Sequence, residues 1–195
     1  MEPIILASAS PRRQEYLKLL GLPFSCMPSS IDEDIDEYAS PEAAAEDLAR
    51  KKVINVLEKL KNEPPLWVLG ADTIVTLDGT IYGKPRDRED ARAMIAALEG
   101  RKHRVITALA LYKGSTKTMD YRQAESTVFF APMAKNEIEW YLNSNEWQDA
   151  AGAYKIQGLA SCFISEIHGS FSSIVGLPLR DFYAILKDNG YHYGG

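Results

Sequence analysis

The dipeptide Asp78-Gly79 stands between two short runs of strand-forming residues, Ile74-Val75-Thr76-Leu77 and Thr80-Ile81-Tyr82. A two-residue turn of this kind needs positive φ at its central positions, which Asp tolerates and Gly favours, and its twist matches that of the strands it joins. The segment is therefore a β-hairpin. An antiparallel pair in a chain that also carries helical patterns points to a mixed α/β sheet rather than a purely parallel one.

The remaining elements follow from punctuation and periodicity. Ile4-Ile5-Leu6-Ala7 is a first strand, followed by the loop Ser8-Ala9-Ser10. Pro11 suits the first position of a helix with Ser10 as its N-cap, and that helix stops at Gly21. Ser40-Pro41-Glu42 repeats the start signal and opens a longer helix carrying Leu48, Val53, Val56, Leu57 and Leu60. Trp67-Val68-Leu69 is a second strand that runs into Gly70-Ala71-Asp72-Thr73, which places Asp72 near an exposed strand end. Residues 87–98, 136–142 and 179–186 read as helices, and residues 104–112, 127–130, 162–167 and 173–175 as strands.

The 195 residues suit one domain, or one domain with two lobes, able to bury a core without staples. A net charge of −5 argues against binding bulk nucleic acid, so the position of the basic residues matters more than their number. Cys26 and Cys162 sit among apolar neighbours and read as free, buried thiols. No close Cys or His pair has the spacing of a zinc site. No signal peptide is recognised, and no apolar run approaches the ~20 residues of a membrane span, so a cytoplasmic protein without a membrane partner is expected.

Four segments carry candidate chemistry. In Ser8-Ala9-Ser10-Pro11-Arg12-Arg13, two arginines stand at a helix start, where cations oppose the macrodipole and a bound anion would resolve the conflict. A solvated helix start with two surface arginines is the alternative. Asp72 is a carboxylate that could hold a metal or activate water, or else form a turn with Thr73. Gly83-Lys84-Pro85 aims a lysine into a cleft or makes a surface turn. Of the adjacent pair Lys51-Lys52, one side chain faces solvent. Residues 151–158, Ala-Gly-Ala-Tyr-Lys-Ile-Gln-Gly, form a wall for a base, or else a strand edge or loop. None of the three histidines lies in these segments, so serine or histidine nucleophilic catalysis is unsupported.

Taken in order, residues 6–13, 48–52, 70–75, 83–85, 125–128, 151–158 and 168–179 resemble the Maf family of nucleotide pyrophosphatases, also called septum-formation inhibitor proteins. The resemblance spans nearly the whole of residues 1–195, read as one domain. It implies a mixed, twisted sheet with flanking helices and two lobes around a cleft, as in inosine triphosphatases, and often a homodimer. It implies a divalent cation, magnesium or manganese, and cleavage of a nucleoside triphosphate into monophosphate and pyrophosphate. Residue by residue, the family's phosphate-contacting set falls on Ser8, Arg12, Arg13, Lys52 and Lys84. Its acidic, metal-holding set falls on Glu33 and Asp72, with Asp72 accepting the proton and Lys84 in the catalytic group. Arg12, Thr73 and Gln157 match the branch that takes dTTP and UTP, and with them modified pyrimidine nucleotides, in a house-cleaning role. The branch that takes 7-methyl-GTP tends to carry Trp, Gln and Glu there. Lys155, where many relatives have Gly, and Ser172-Ser173, in place of a pair ending in Asn, depart from the pattern. Two other readings stand beside this one: a regulator of cell division that senses nucleotides without cutting them, and an enzyme that removes only the terminal phosphate.

Overall fold

The computed structural model describes residues 1–32, 38–60 and 67–193. Among the described residues seven strands form one mixed sheet: β1 (Ile4–Leu6), β2 (Phe24–Cys26), β3 (Trp67–Leu77), β4 (Thr80–Tyr82), β5 (Lys102–Lys113), β6 (Thr118–Phe130) and β7 (Ile164–His168). The helices are α1 (Pro11–Leu19), α2 (Pro41–Lys59), α3 (Arg88–Leu98), α4 (Lys135–Asn143), α5 (Phe171–Val175) and α6 (Leu179–Asp188). The sheet order is β2-β1-β3-β5-β6-β7, with β4 also on β3. β1 runs parallel to β2 and β3, and every other pair is antiparallel. The mixed sheet read from the sequence is thus present. Among the described residues no helix is long and apolar enough to cross a membrane.

Alternation along β3 sends successive side chains to opposite faces and so divides the core. Val68 and Ile74 meet α2 through Ala44, Ala45, Ala49, Val53 and Val56. Leu69 and Ala71 meet α1 and α6 on the other face. Farther along the strand, Val75 and Leu77 pack with Val105, Val128 and Phe130 under α3 and α4. The described core is therefore three clusters: one under α2 along β3, and two on the other face at opposite ends of the strand.

Gly70 explains why α2 can lie so low on the sheet. A Cβ built there would sit 2.3 Å from the backbone oxygen of Ala49 and 2.8 Å from Val53. Such an approach is open only to glycine. It seats Lys52, in the turn after Ala49, over Asp72, two residues along the same face of β3 from Gly70.

Several sequence expectations are corrected. Asp72 lies not near a strand end but in the middle of an 11-residue strand, because the small residues Gly70 and Ala71 continue the ladder to β5 without a turn. Residues 173–175 belong to helix α5, which starts where the Ser170 side chain accepts the Ser173 N–H at 3.3 Å and ends at Gly176. Residues 159–163 are a 3₁₀ turn, so β7 begins only at Ile164. β6 is 13 residues long, far beyond the 127–130 segment visible as an apolar run. Both cysteines are exposed: Cys26 ends the short strand β2 at the edge of the sheet, and Cys162 lies on the outer side of the 3₁₀ turn.

Candidate active site

The site is a break in the sheet. β1 pairs with β3 over Trp67–Leu69, and β4 pairs with the same edge of β3 over Val75–Leu77. Between them neither strand covers the edge. The Ala7 N–H donates to the Leu69 carbonyl at 2.8 Å, so Leu69 turns its backbone groups toward β1. By alternation Ala71 and Thr73 present theirs to the break. The loop leaving β1 enters from one side, and residues 83–85, leaving β4, enter from the other. A cavity of about 640 Å³ fills this space.

Ser8, Arg12, Arg13, Lys52, Asp72, Thr73, Lys84 and Gln157 all line that cavity, so the fold brings the described members of the candidate set together. Glu33 lies outside the described residues. Among those described, the lining carries five basic side chains (Arg12, Arg13, Lys52, Lys84 and Lys155) against two acidic ones, Asp72 and Asp149. A chain of net charge −5 thus concentrates positive charge in one concavity, which suits an anionic ligand.

The two arginines diverge. Arg13 is buried and points inward: Nε donates to the Gly176 carbonyl at 2.8 Å, Nη1 to Ser8 Oγ at 3.1 Å and Nη2 to Thr73 Oγ1 at 3.2 Å. It braces the loop after β1 against β3 and against the α5–α6 connection. Ser8 Oγ also accepts the Ser10 N–H at 3.1 Å, whereas the Ser10 side chain caps nothing. Arg12 instead reaches across the mouth to the carbonyl of Asp149 at 3.3 Å. Burial lowers its pKa from the ordinary arginine value, while the charges of Asp149 and Glu15 oppose that shift.

Thr73 belongs to a directed chain of hydrogen bonds. Thr107 Oγ1 donates its single proton to the Ser173 carbonyl at 2.7 Å. Thr73, 2.9 Å from Thr107 Oγ1, must therefore be the donor between the two hydroxyls. Its proton points away from the cavity, leaving the hydroxyl only acceptor capacity toward a ligand.

On the opposite face of β3, Lys52 Nζ donates to Asp72 Oδ1 at 2.5 Å, and both side chains are at most a tenth exposed. Lys51 is the exposed member of the lysine pair, in an ion pair with Asp47 at 2.9 Å. The lining holds oxygen donors and, among the described residues, no His or Cys, a donor set that suits a hard divalent cation rather than zinc. Among the described residues no cluster of three or more His, Cys, Asp or Glu forms a preassembled metal cage. Magnesium does not need one, since it is commonly held by one or two carboxylates together with substrate phosphates.

The wall formed by residues 151–157 is held from behind. Tyr141 Oη donates to the Ala153 carbonyl at 3.1 Å, and Tyr154 Oη lies 2.8 Å from His103 Nε2. Among the described residues, no hydrogen bond fixes the exposed Gln157 amide. Asp149 and the His103–Tyr154 pair are parts of the site that sequence reasoning missed. Asp149 precedes the wall without any local pattern, and His103 is distant in sequence.

His103 is buried beside Phe130, and its Nδ1 has no partner among the described residues. Burial pushes its pKa down to about 4, so the folded protein holds it neutral. Between that value and the ordinary histidine value near 6.5 the unfolded chain binds the extra proton. Stability from this group is full above about pH 6.5 and is lost as pH falls to about 4, a change of about 3 kcal/mol. Urea unfolding across this window, compared with His103→Gln, should show a flatter pH dependence in the variant. Parallel curves would refute the assignment.

A family model described as Maf-like protein matches residues 3–189. The dTTP/UTP pyrophosphatase of Symbiobacterium thermophilum is 42% identical over 191 residues, covering 98% of this chain and 96% of the relative. That of Desulforamulus reducens is 45% identical, with 96% of each chain covered. That of Desulfotalea psychrophila is 43% identical, covering 92% of this chain and 91% of the relative. With a match over almost its whole length, and relatives more than 40% identical over more than nine-tenths of it, the chain belongs to the Maf-like protein family.

Proposed function

We propose that this protein hydrolyses nucleoside triphosphates, dTTP and UTP foremost, to a monophosphate and pyrophosphate. The observation that carries this reading is a cavity lined, among the described residues, by five cationic side chains around the deeply buried Asp72 carboxylate, in a chain that is acidic as a whole. The names of the relatives, dTTP/UTP pyrophosphatases, supply the substrate class. Arg12, Lys52 and Lys84 neutralise the phosphates so that water can approach. Arg13 holds Ser8 and Thr73 in place while contributing to the same positive field. Asp72 takes the proton of the attacking water, and the α–β bridge breaks with release of pyrophosphate. Asp72, together with Glu33 from the family pattern, would hold a magnesium or manganese ion. When bound, such an ion supplies charge neutralisation to the phosphate oxygens and acidifies bound water. A homodimer in the cytoplasm belongs to the same reading.

Base choice rests on the wall and on Arg12. An N7-methylated guanine is cationic, and the Arg12 guanidinium repels it; a neutral pyrimidine pairs with the Gln157 amide. With no hydrogen bond holding that amide among the described residues, it can turn to match either uracil or cytosine. The expected order of kcat/KM is therefore dTTP and UTP first, CTP within about tenfold, and 7-methyl-GTP last. A nucleotide panel with magnesium and with manganese, read by product identity, tests this. Preference for 7-methyl-GTP would overturn the branch assignment, and release of orthophosphate with a diphosphate would overturn the reaction.

A further inference from the structure

The wall that carries Gln157 and the loop that carries Lys84 come from distant parts of the chain, yet they touch at one point. The Gly152 N–H donates to the Gly83 carbonyl at 3.1 Å. Gly83 directly precedes Lys84, and Gly152 opens the turn that leads through Tyr154 to Gln157. Behind this contact stands Val75, the residue of β3 that pairs with Tyr82 of β4.

Two facts make position 152 exacting. Its φ is +66°, in the left-handed region that L side chains rarely adopt. A Cβ built there would meet three atoms of the Val75 side chain at 3.0, 3.1 and 3.2 Å. Position 152 must therefore lie flat on Val75 for its N–H to reach Gly83. The next residue, Ala153, is also left-handed, with φ +61°, and its carbonyl is held by Tyr141. The turn is thus fixed on the buried side by Tyr141 and Tyr154 and on the cavity side by Gly152.

We infer that Gly152 is a positioning residue that couples base recognition at Gln157 to phosphate holding at Lys84, through its hydrogen bond to the Gly83 carbonyl. The inference rests on the reading of this cleft as a pyrimidine nucleotide site. A base seated on the wall presses on a turn that is locked to the lysine loop, so Lys84 meets the phosphates in one geometry. Without the lock, each end of the nucleotide is held independently. Reaction rates respond steeply to such misplacement, with about 1 Å able to cost ~10²-fold.

The test is a double-mutant cycle on kcat/KM for UTP, with Gln157→Ala, Lys84→Ala and the pair, in the full chain. In the parent background the two changes should be non-additive by about fivefold or more. In a Gly152→Ala background they should become additive within about twofold. Adding Val75→Ala, which removes the two nearest of the three atoms that the new methyl meets and leaves only the Cβ at 3.2 Å, should restore most of the coupling. Gly152→Asn is prepared alongside: it brings the same Cβ to Val75 but eases the left-handed strain, which Asn tolerates better than other L residues, so that a strain-driven folding failure of the alanine variant leaves the comparison intact. A general loss of stability would lower activity in every cycle member without changing the coupling. Additivity in the parent, or unchanged coupling in a folded Gly152 variant, would overturn the inference while leaving the activity in place. A parent protein that releases no pyrophosphate from UTP would overturn both.

Discussion

Asp72→Asn is expected to lower UTP turnover by about 10²–10⁴-fold while nucleotide affinity stays largely in place. Asp72 is only 7% exposed, yet it lines the cavity, so it can meet a reacting water while shielded from bulk solvent. The amide keeps the shape of the carboxylate and still accepts the hydrogen bond from Lys52, but it can neither take a proton nor hold a cation as a carboxylate does. The measurement is kcat and KM by pyrophosphate release, with thermal unfolding as a check that the variant is folded. Turnover near that of the parent in a folded Asp72→Asn protein would remove Asp72 from the chemistry.

The second large effect concerns Lys52→Met. This change leaves the Asp72 carboxylate facing an apolar chain in a site where both partners are at most a tenth exposed. Removing one member of a buried ion pair typically costs about 3–5 kcal/mol, because a buried charge loses a close counter-charge. Denaturant unfolding should show a loss of that order, and the affinity for triphosphate should fall with the lost cation. Pairing Lys52→Met with Asp72→Asn should recover most of the lost stability, since the buried carboxylate charge is then gone as well. Equal stability of the single and double variants would show that the pair contributes little to folding.

Much of this was legible in the chain itself. The hairpin at Asp78-Gly79 announced the mixed sheet, and the apolar runs located β1, β3 and the helices that cover them. The ordered motifs named Ser8, Arg12, Arg13, Lys52, Thr73, Lys84 and Gln157, all of which reach one cavity. What stayed hidden depended on contacts between distant segments. Which of Lys51 and Lys52 turns inward follows from the approach of Ala49 to Gly70, a contact that local spacing does not reveal. The depth of Asp72 was masked because Gly70 and Ala71 resemble a turn. The apolar run shows only the end of β6 because polar residues interrupt the pattern on both faces, Arg122 reaching Asp188 of α6 on one and Gln123 reaching Glu42 of α2 on the other. The bracing role of Arg13 needed Gly176 and Thr73, neither of which is near it in sequence.

The break along β3 has a consequence for how such a site changes through descent. A cavity made by leaving an edge uncovered is bounded by segments that leave their strands, here residues 8–10 and 83–85, rather than by ladder residues. Insertions and substitutions in such segments are tolerated far better than changes of strand register. The floor, fixed by the contact of α2 with Gly70, keeps the lysine and the carboxylate opposed whatever happens at the rim. On the proposed reading, the base-facing wall of residues 151–157 can therefore change its choice of nucleobase while Lys52 and Asp72 stay opposed on the floor.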